Sequence, residues 1–204
     1  MYNVVSIYSI TNNNYRNMKI IGINGSPRIN GNSAQLLEIM LKQTEQYGAS
    51  TKTYHLNKMN FKGCQGCSSC REKGNCVLKD DMNVLLKEVK EADVVILSSP
   101  VYMWQMSAQT KLFTDRLMPL LKSDYSSRLV GQKLLMLYTQ GNTNCSQFST
   151  YFEYTKNMFS FLGFRVLPPF VAGGFHHEND IQKYPNIIQR AKQSAEAIMM
   201  ADCI

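Results

Sequence analysis

Four cysteines crowded into one short segment are the residues whose types and spacing most strongly suggest chemistry. Cys64, Cys67, Cys70 and Cys76 follow the pattern C-x2-C-x2-C-x5-C, and three glycines lie within or beside the run. Glycine-rich backbone can fold so that nearby thiolates converge, and soft metal centres prefer thiolate ligands. The spacing resembles that of bacterial ferredoxins without matching it, so the segment predicts a [4Fe–4S] cluster held by these four side chains.

Two other interpretations of the cysteine segment stay open. Zinc also accepts four thiolates, although its sites more often combine two separated C-x2-C pairs. The remaining interpretation is that the four cysteines bind nothing. Cys145 and Cys203 lie outside the motif, and we treat them as free thiols.

A second candidate site follows the first apolar run, Lys19–Asn24. Residues 25–33 read GSPRINGNS, in which Ser26, Asn32 and Ser33 offer hydroxyl or amide groups before a predicted helix. The N–H groups and positive dipole of a helix N-terminus favour a phosphate. The second glycine is not followed by Lys-Ser/Thr, as a triphosphate loop requires, and the glycine spacing does not fit GxGxxG. The pattern therefore favours flavin mononucleotide (FMN), and the alternative is an ordinary capped turn.

Aromatic residues after the third apolar run suggest a platform for a flat ring. We expect Pro100 to end that strand, and Tyr102 and Trp104 follow it. Such side chains present large apolar area of defined geometry to an isoalloxazine. A weaker signal comes from the loop after the fourth run, where Gln140 and Gly141 offer polar groups to the other ring edge. The alternative is that the two aromatics close the core or a subunit interface.

The elements that must position these segments alternate in character along the chain. The predicted strands are Lys19–Asn24, Ser50–Leu56, Asp93–Ser98, Lys133–Thr139 and Arg165–Val171. The predicted helices are Ser33–Tyr47, Met82–Lys90, Ser107–Leu121, Gln147–Leu162 and Pro185–Ala201. Continuous apolar runs such as Val94–Leu97 indicate a parallel sheet covered by helices. We expect a flavodoxin-like, doubly wound α/β fold with five strands in the order 2-1-3-4-5 and the cysteine-rich loop after strand 2.

Length and composition fit one compact domain. The chain has 204 residues, of which 44% are hydrophobic and 18% charged, and this argues against a largely disordered protein. We expect a flexible extension over residues 1–17 and one domain over residues 18–204, with the cysteine-rich insertion at about 57–79. No apolar run is long enough to span a bilayer, and residues 1–17 lack the features of a secretory signal. We therefore expect a cytoplasmic protein without membrane association.

The charge balance bears on the partners of the protein. Lys and Arg number 22 against 15 Asp and Glu, which gives a formal net charge of +7. The basic residues are dispersed and are not interleaved with aromatic ones, which argues against nucleic-acid binding. The excess fits an anionic cofactor or an acidic partner, and we expect a ferredoxin-like acidic electron carrier.

The first and third loops also resemble a known family. GSPRxxGNS after the first strand and SSPVYMWQMSAQTKLFTDR after the third look like the NADPH-dependent FMN reductase family of flavodoxin-like proteins. The likeness extends from about Met18 to the C-terminus and implies an FMN-dependent oxidoreductase. Family positions that hold the FMN phosphate fall on Ser26, Arg28, Asn32, Ser33 and Ala34. Family positions that line the ring fall on Pro100, Val101, Tyr102, Met103 and Trp104. Asp115 and Arg116 also fit the motif, but we expect them to be structural.

The cysteine segment extends the resemblance to the iron–sulfur flavoproteins, whose compact cysteine motif occupies the same insertion. This resemblance implies electron transfer between a [4Fe–4S] cluster and FMN. It also implies a homodimer or homotetramer that places the cysteine loop near a neighbouring subunit's flavin. FMN reductases with no established cluster share part of the pattern, including Asp80-Asp81-Met82.

Three hypotheses follow. The first is the iron–sulfur flavoprotein with its acidic electron donor. The second is a cluster-free NAD(P)H-dependent flavin or quinone reductase. The third, from another class, is a zinc-bearing binding module without enzymatic activity. His55, His176 and His177 lack a partner motif, so we assign them ordinary loop roles, with substrate gating as the alternative.

Overall fold

The computed structural model describes residues 17–200, so the predicted extension lies, apart from Asn17, outside the described residues. Within them, seven strands form one sheet in the order β2-β1-β3-β5-β6, with β4 beside β3 and β7 beside β5. Their bounds are β1 Lys19–Asn24, β2 Ser50–His55, β3 Val94–Tyr102, β4 Gln105–Met106, β5 Lys133–Thr139, β6 Arg165–Val166 and β7 Phe170–Ala172. Only β4, among these strands, pairs antiparallel. The predicted doubly wound α/β fold and the order of its main strands are confirmed.

Helices lie on both faces of the sheet. Their bounds are α1 Asn32–Glu45, α2 Ser69–Lys73, α3 Met82–Glu91, α4 Ala108–Asp115, α5 Ser149–Phe161 and α6 Pro185–Met200. Residues of α1 and α6 belong to one hydrophobic core, and residues of α3, α4 and α5 belong to the other. Along β1, Ile20 packs into the first core and Ile21 into the second. Burial on both faces explains the continuous apolar runs of the strands. No helix within residues 17–200 is long and apolar enough to cross a membrane.

The register of the strands brings three of the loops together. Asn24, the last residue of β1, lies opposite Ser98 in β3, and Pro100 lies opposite Thr139, the last residue of β5. Because these strands run parallel, their carboxyl ends meet at one edge of the sheet. In an open α/β sheet this edge is where ligands bind.

Two of the observed strands differ from the predicted ones at proline residues. The prediction that Pro100 ends the third strand is wrong, since β3 continues to Tyr102. Beyond Ser98, β3 has no β1 residue beside it, so a residue without an N–H is tolerated there. The predicted fifth strand is divided into β6 and β7 at Pro168 and Pro169, and both pieces still pair with β5.

Candidate cofactor cleft and cysteine cavity

The loop after β1 is held in a tight turn by its own side chains. The Ser26 N–H donates to Oδ1 of the fully buried Asn24 at 3.0 Å, and the Arg28 N–H donates to Ser26 Oγ at 3.1 Å. The amide nitrogen of Asn24 also lies 3.1 Å from His55 Nδ1, at the end of β2. These bonds fix the path of the chain into α1.

The first turn of α1 is the strongest anion-binding feature of this loop. Gly31 precedes the helix, no side chain caps it, and its first turn contains no acidic residue. The N–H groups of such a turn have no partner within the helix and carry the positive end of its dipole. The exposed Arg28 side chain lies 3.9 Å from Glu178, a long ion pair that a phosphate can replace. The arrangement fits a phosphate monoester.

A buried hydroxyl network ties this loop to the next one. Ser107 Oγ donates to Gly25 O at 2.5 Å and accepts from the Thr110 N–H at 3.2 Å, so it caps α4 as well. The Gly25 N–H donates to Ser98 O at 2.8 Å. A Cβ atom on Gly25 would lie 1.9 Å from Thr110 Oγ1, which explains why glycine stands here. The loops after β1 and β3 are therefore one rigid unit.

A second set of hydroxyl contacts ties α1 to the sheet. Ser33 Oγ and Thr139 Oγ1 are 2.5 Å apart, and Ser98 Oγ donates to Ser33 O at 3.0 Å. All three residues are buried. The start of α1 is thus fixed to the carboxyl ends of β3 and β5.

One polar cleft of about 170 Å³ opens at the carboxyl ends of β1, β3 and β5. The predicted FMN residues that line it are Ser26, Arg28, Asn32, Ser33, Pro100, Val101, Tyr102, Gln140 and Gly141. Ala34 lines a neighbouring groove between α1 and β2. Met103 and Trp104 are not part of the cleft lining. The structure therefore brings most of the predicted residues from three separate loops together.

Met103 and Trp104 form the tip of a hairpin between β3 and β4. Tyr102 pairs with Gln105 across a two-residue turn, and the φ angles of Met103 and Trp104 are +45° and +68°. Such a turn normally takes Asn or Gly, so holding these two side chains there costs about 1–3 kcal/mol each. Their exposed fractions are 84% and 64%, and the Trp104 ring forms a T-shaped pair with Phe148, with the ring centroids 6.4 Å apart. The hairpin presents an apolar tip beside the cleft.

Sequence reasoning missed a third wall of the cleft, formed by Phe175, His176 and His177 after β7. Asn32 holds this wall, because its side chain donates to His177 O at 2.8 Å and accepts from the Ile181 N–H at 3.0 Å. Two of the polar groups of the Asn32 side chain are thus occupied, and its main-chain N–H and second amide N–H are left for a phosphate. Contacts between residues so distant in sequence have no local signal, and only the glycine-rich start of the segment hinted at a special loop.

Gln140 provides a test of whether this cleft suits FMN. Its Nε2 donates to Asn142 O and Asn144 O, each at 2.9 Å. Its Oε1 is buried and has no hydrogen-bond partner within the described part of the chain. An unmatched buried acceptor costs about 1–3 kcal/mol, which favours a ligand that supplies a donor. The ring N–H and ribityl hydroxyls of FMN are such donors, so the residues present fit this cofactor.

The cysteine motif forms a separate, largely apolar cavity of about 150 Å³. All four motif cysteines line it, together with Val77, Leu78 and Met118. Cys64 and Cys67 are exposed, whereas Cys70 is buried. Burial, followed by the neighbouring thiols of Cys76, Cys64 and Cys67, raises the pKa of Cys70. The four sulfurs therefore share one neighbourhood, as a common centre requires.

The arrangement of these thiols bears on the kind of centre. Within residues 17–200, no three His, Cys, Asp or Glu side chains are placed so that they could hold a metal ion. Tetrahedral zinc needs four thiolates, each about 2.3 Å from the metal. A [4Fe–4S] cluster takes each thiolate on a different iron and fills the space between them. The four thiols around one cavity fit such a cluster in composition.

Arg116 closes the base of the cysteine segment. Its guanidinium donates to both carboxylate oxygens of Asp80, at 2.7 and 2.9 Å, and to Lys62 O at 2.6 Å. Only 1% of the Arg116 side chain is exposed. Burial would raise the pKa of Asp80, but the hydrogen bonds from Arg116 and from the Lys62 N–H outweigh it and hold that pKa below its usual value. Arg116 thus joins residues on both sides of the motif, while the adjacent Asp115 pairs with Lys111.

Comparison of the sequence with known protein families identifies the family of this domain. The profile of the family described as NADPH-dependent FMN reductase matches residues 18–178. This chain belongs to that family. The match covers β1 to β7 and includes the cysteine segment, so both candidate sites lie within the family domain.

Curated relatives of this family member are named iron-sulfur flavoprotein. A protein of Archaeoglobus fulgidus is 42% identical over 118 residues, covering 55% of this chain and 54% of that protein. One of Methanocaldococcus jannaschii is 44% identical over 103 residues, covering 50% and 53%. The chain thus spans about half the length of the curated relatives it matches.

Solved structures show the same fold at low identity. An NAD(P)H:quinone oxidoreductase from Methanothermobacter marburgensis superposes with a TM-score of 0.70 at 17% identity, covering 90% of this chain and 98% of the other. An FMN-dependent NADH-azoreductase from Bacillus anthracis, in complex with FMN, gives 0.68 at 16%, covering 89% and 99%. These likenesses establish the flavodoxin-like architecture of this FMN reductase family member.

Proposed function

We propose that this chain is an FMN-dependent oxidoreductase that passes electrons between a [4Fe–4S] cluster and FMN. The observation that carries the proposal is that all four cysteines of the C-x2-C-x2-C-x5-C motif line one apolar cavity. The family match and the names of the curated relatives support it. FMN, when bound, supplies redox chemistry that amino-acid side chains lack.

The cleft residues would hold FMN at three places. The N–H groups of the first turn of α1, with Ser26 and Arg28, bind the phosphate. Pro100, Val101 and Tyr102, which line the same cleft, would contact the flavin ring. Gln140 and Gly141 contribute polar groups at the end of β5, where the unmatched Gln140 Oε1 accepts a hydrogen bond. Ala34 contributes its main-chain N–H in the first turn.

The exposed hairpin tip and the cysteine cavity would both be covered at a boundary between subunits. Met103 and Trp104, at the edge of the cleft, would contact the flavin ring if a second subunit covered the hairpin tip. In this arrangement, a homodimer or homotetramer excludes water from both cofactors. Cys64, Cys67, Cys70 and Cys76 would each bind one iron, and the apolar residues of the cavity would limit the access of water to the cluster.

The net charge of the chain indicates the kind of electron carrier that would bind it. With a net charge of +7, the protein would receive electrons from an acidic, ferredoxin-like carrier in the cytoplasm. We further propose that the domain begins at residue 18 and carries its insertion at about 57–79.

A second candidate function is a cluster-free reductase that takes electrons from NAD(P)H. It is favoured by the solved structures of similar fold, which are named for NAD(P)H-dependent reactions. Rapid reduction of the flavin by NAD(P)H alone, in protein without iron, would support this function.

The test is the content of iron, acid-labile sulfide and zinc per bound FMN in protein purified without oxygen. We expect about four irons and four sulfides per chain, since each thiolate binds one iron of a [4Fe–4S] cluster. Cys67→Ser should lose iron, whereas Cys145→Ser, outside the motif, should retain it. FMN without iron would establish the cluster-free reductase, and one zinc per chain would make the cysteine segment structural.

A further inference from the structure

Two basic side chains from outside the cysteine segment bind its backbone. Arg128 donates to the carbonyl oxygens of Arg71 and Glu72, at 2.6 and 3.3 Å. Lys90, in the last turn of α3, donates to Gly74 O at 2.7 Å. These three carbonyls lie between the third and fourth cysteines of the motif. The contacts therefore fix the stretch of chain that separates two of the proposed ligands.

Arg71, within the segment, adds a third cationic group. Its guanidinium donates to Ser123 O at 2.5 Å and lies 3.9 Å from the centre of the Tyr125 ring. Arg71 directly follows the buried Cys70 in sequence. Its side chain anchors α2 to the loop that precedes β5.

None of these three cations forms an ion pair with a carboxylate in the described part of the chain. Arg116 differs, because Asp80 neutralises it, and so does Lys87 on α3, which pairs with Glu91. The cavity lining also contains no carboxylate. Burial, with the charge of Arg128, lowers the pKa of Lys90. Three cationic side chains without an ion-pair partner among the described residues thus contact or flank the backbone between the third and fourth motif cysteines, although none of them lines the cavity itself.

Capping of α2 accounts for part of this arrangement. Cations near the last carbonyls of a helix stabilise it, and Gly74 with a φ of +71° ends α2. A helix of five residues has a small dipole, however, and neutral donors could satisfy the same carbonyls. Capping therefore does not explain why the groups that contact this segment are charged.

We propose that Lys90 and Arg128, together with Arg71, are positioning residues whose charges offset the negative charge of the cluster held by the four thiolates. This inference rests on the proposed function. A cluster bound by four thiolates carries net negative charge, and reduction makes it more negative. Positive charges near a partly buried cluster stabilise its reduced form more than its oxidised form. They therefore raise the reduction potential of the cluster.

The test is a redox titration of the cluster, followed by electron paramagnetic resonance, in full-length protein purified without oxygen. Lys90→Gln removes the charge and keeps an N–H donor, whereas Lys90→Arg keeps both. Lys87→Gln, one turn earlier on the exposed side of α3, is the matched control. We expect a lower reduction potential in Lys90→Gln, with wild-type values in Lys90→Arg and Lys87→Gln, at unchanged iron and FMN content.

The outcomes separate this inference from the function on which it rests. Iron in all variants with one common potential would overturn the charge role while leaving the cluster in place. Absence of iron from the wild type would overturn both. Loss of iron in Lys90→Gln but not in Lys90→Arg would support the charge role, because only the charged side chain then sustains the cluster.

Discussion

Arg28 is the permanent cation of the proposed phosphate site, and its removal tests that site directly. Replacing Arg28 with Gln should weaken FMN binding by about 10- to 100-fold, because a hydrogen bond to a charged group contributes about 1.5–3 kcal/mol. Quenching of flavin fluorescence during titration measures the affinity. Riboflavin, which lacks the phosphate, is the control ligand. An equal loss of affinity for both flavins would contradict the assignment of Arg28 to the phosphate.

Arg116 matters for stability, since it is the buried half of an ion pair. Arg116→Met leaves Asp80 without its partner and should lower the free energy of unfolding by about 3–5 kcal/mol. Asp115→Asn, in the exposed pair with Lys111, should cost less than about 0.5 kcal/mol. Urea denaturation measures both values.

A double variant separates charge from packing at this position. Adding Asp80→Asn to Arg116→Met removes the unpaired carboxylate and should recover part of the lost stability. If the double variant is less stable than Arg116→Met, the contact with Lys62 O rather than the ion pair holds the segment.

Single residues differ in how far the sequence reveals them. Cysteine spacing is a local property, so Cys64 to Cys76 could be predicted to share one site. His176 was predicted to have an ordinary loop role, yet it lines the cleft. The segment that contains it is held by Asn32, which donates to His177 O from 145 positions away in the sequence. Arg116 was expected to be structural, and no spacing rule could identify its partner Asp80.

At the scale of elements, the hairpin between β3 and β4 combines a strained turn with an exposed apolar tip. Replacing Met103 and Trp104 with Asn and Gly should raise the free energy of unfolding by about 1–3 kcal/mol, because these residues adopt positive φ readily. The same change should slow flavin reduction if the tip lies against the ring in the assembled protein. Thermal unfolding and stopped-flow reduction measure the two effects. A less stable variant would show that the side chains stabilise the turn more than its backbone costs.

A carboxylate on α3 joins this helix to the edge of the sheet and gives a pH dependence. Glu88 contacts Lys19 at 2.8 Å and Lys52 at 3.0 Å, and their hydrogen bonds lower the pKa of Glu88 to about 2. Because folding lowers the pKa of Glu88, its ionised carboxylate stabilises the fold fully at a pH above about 4.5, the ordinary pKa of glutamate. This contribution is lost as the pH falls towards 2. Glu88→Gln should therefore unfold at a lower temperature than wild type at pH 7, with a difference that shrinks on acidification. Glu38→Gln, in an exposed pair on α1, is the control.

Elements show where periodicity predicts structure and where it does not. β1 and β5 were predicted with their observed bounds because both are apolar runs bordered by polar residues. The helix predicted over Ser107–Leu121 ends at Asp115, and Pro119 follows in a short 3-10 turn. Helix α2 was not predicted. It has only five residues, and it is held by Arg128, which donates to Arg71 O, and by Lys90, which donates to the carbonyl of Gly74 at its end. Such short elements depend on tertiary contacts that local pattern does not contain.

For the whole molecule, the net charge of +7 predicts how the protein meets an acidic electron carrier. The rate of electron transfer from a ferredoxin should fall steeply between about 10 mM and 1 M salt, because the Debye length shrinks from about 30 Å to about 3 Å. The cause is a slower encounter of opposite charges, so the second-order rate constant should carry the effect. Stopped-flow mixing with reduced ferredoxin measures it, and a neutral quinone acceptor serves as the control. A rate with ferredoxin that does not change with salt would show that the surface charge does not speed the encounter with the carrier. The basic groups would then act only on the bound cofactors.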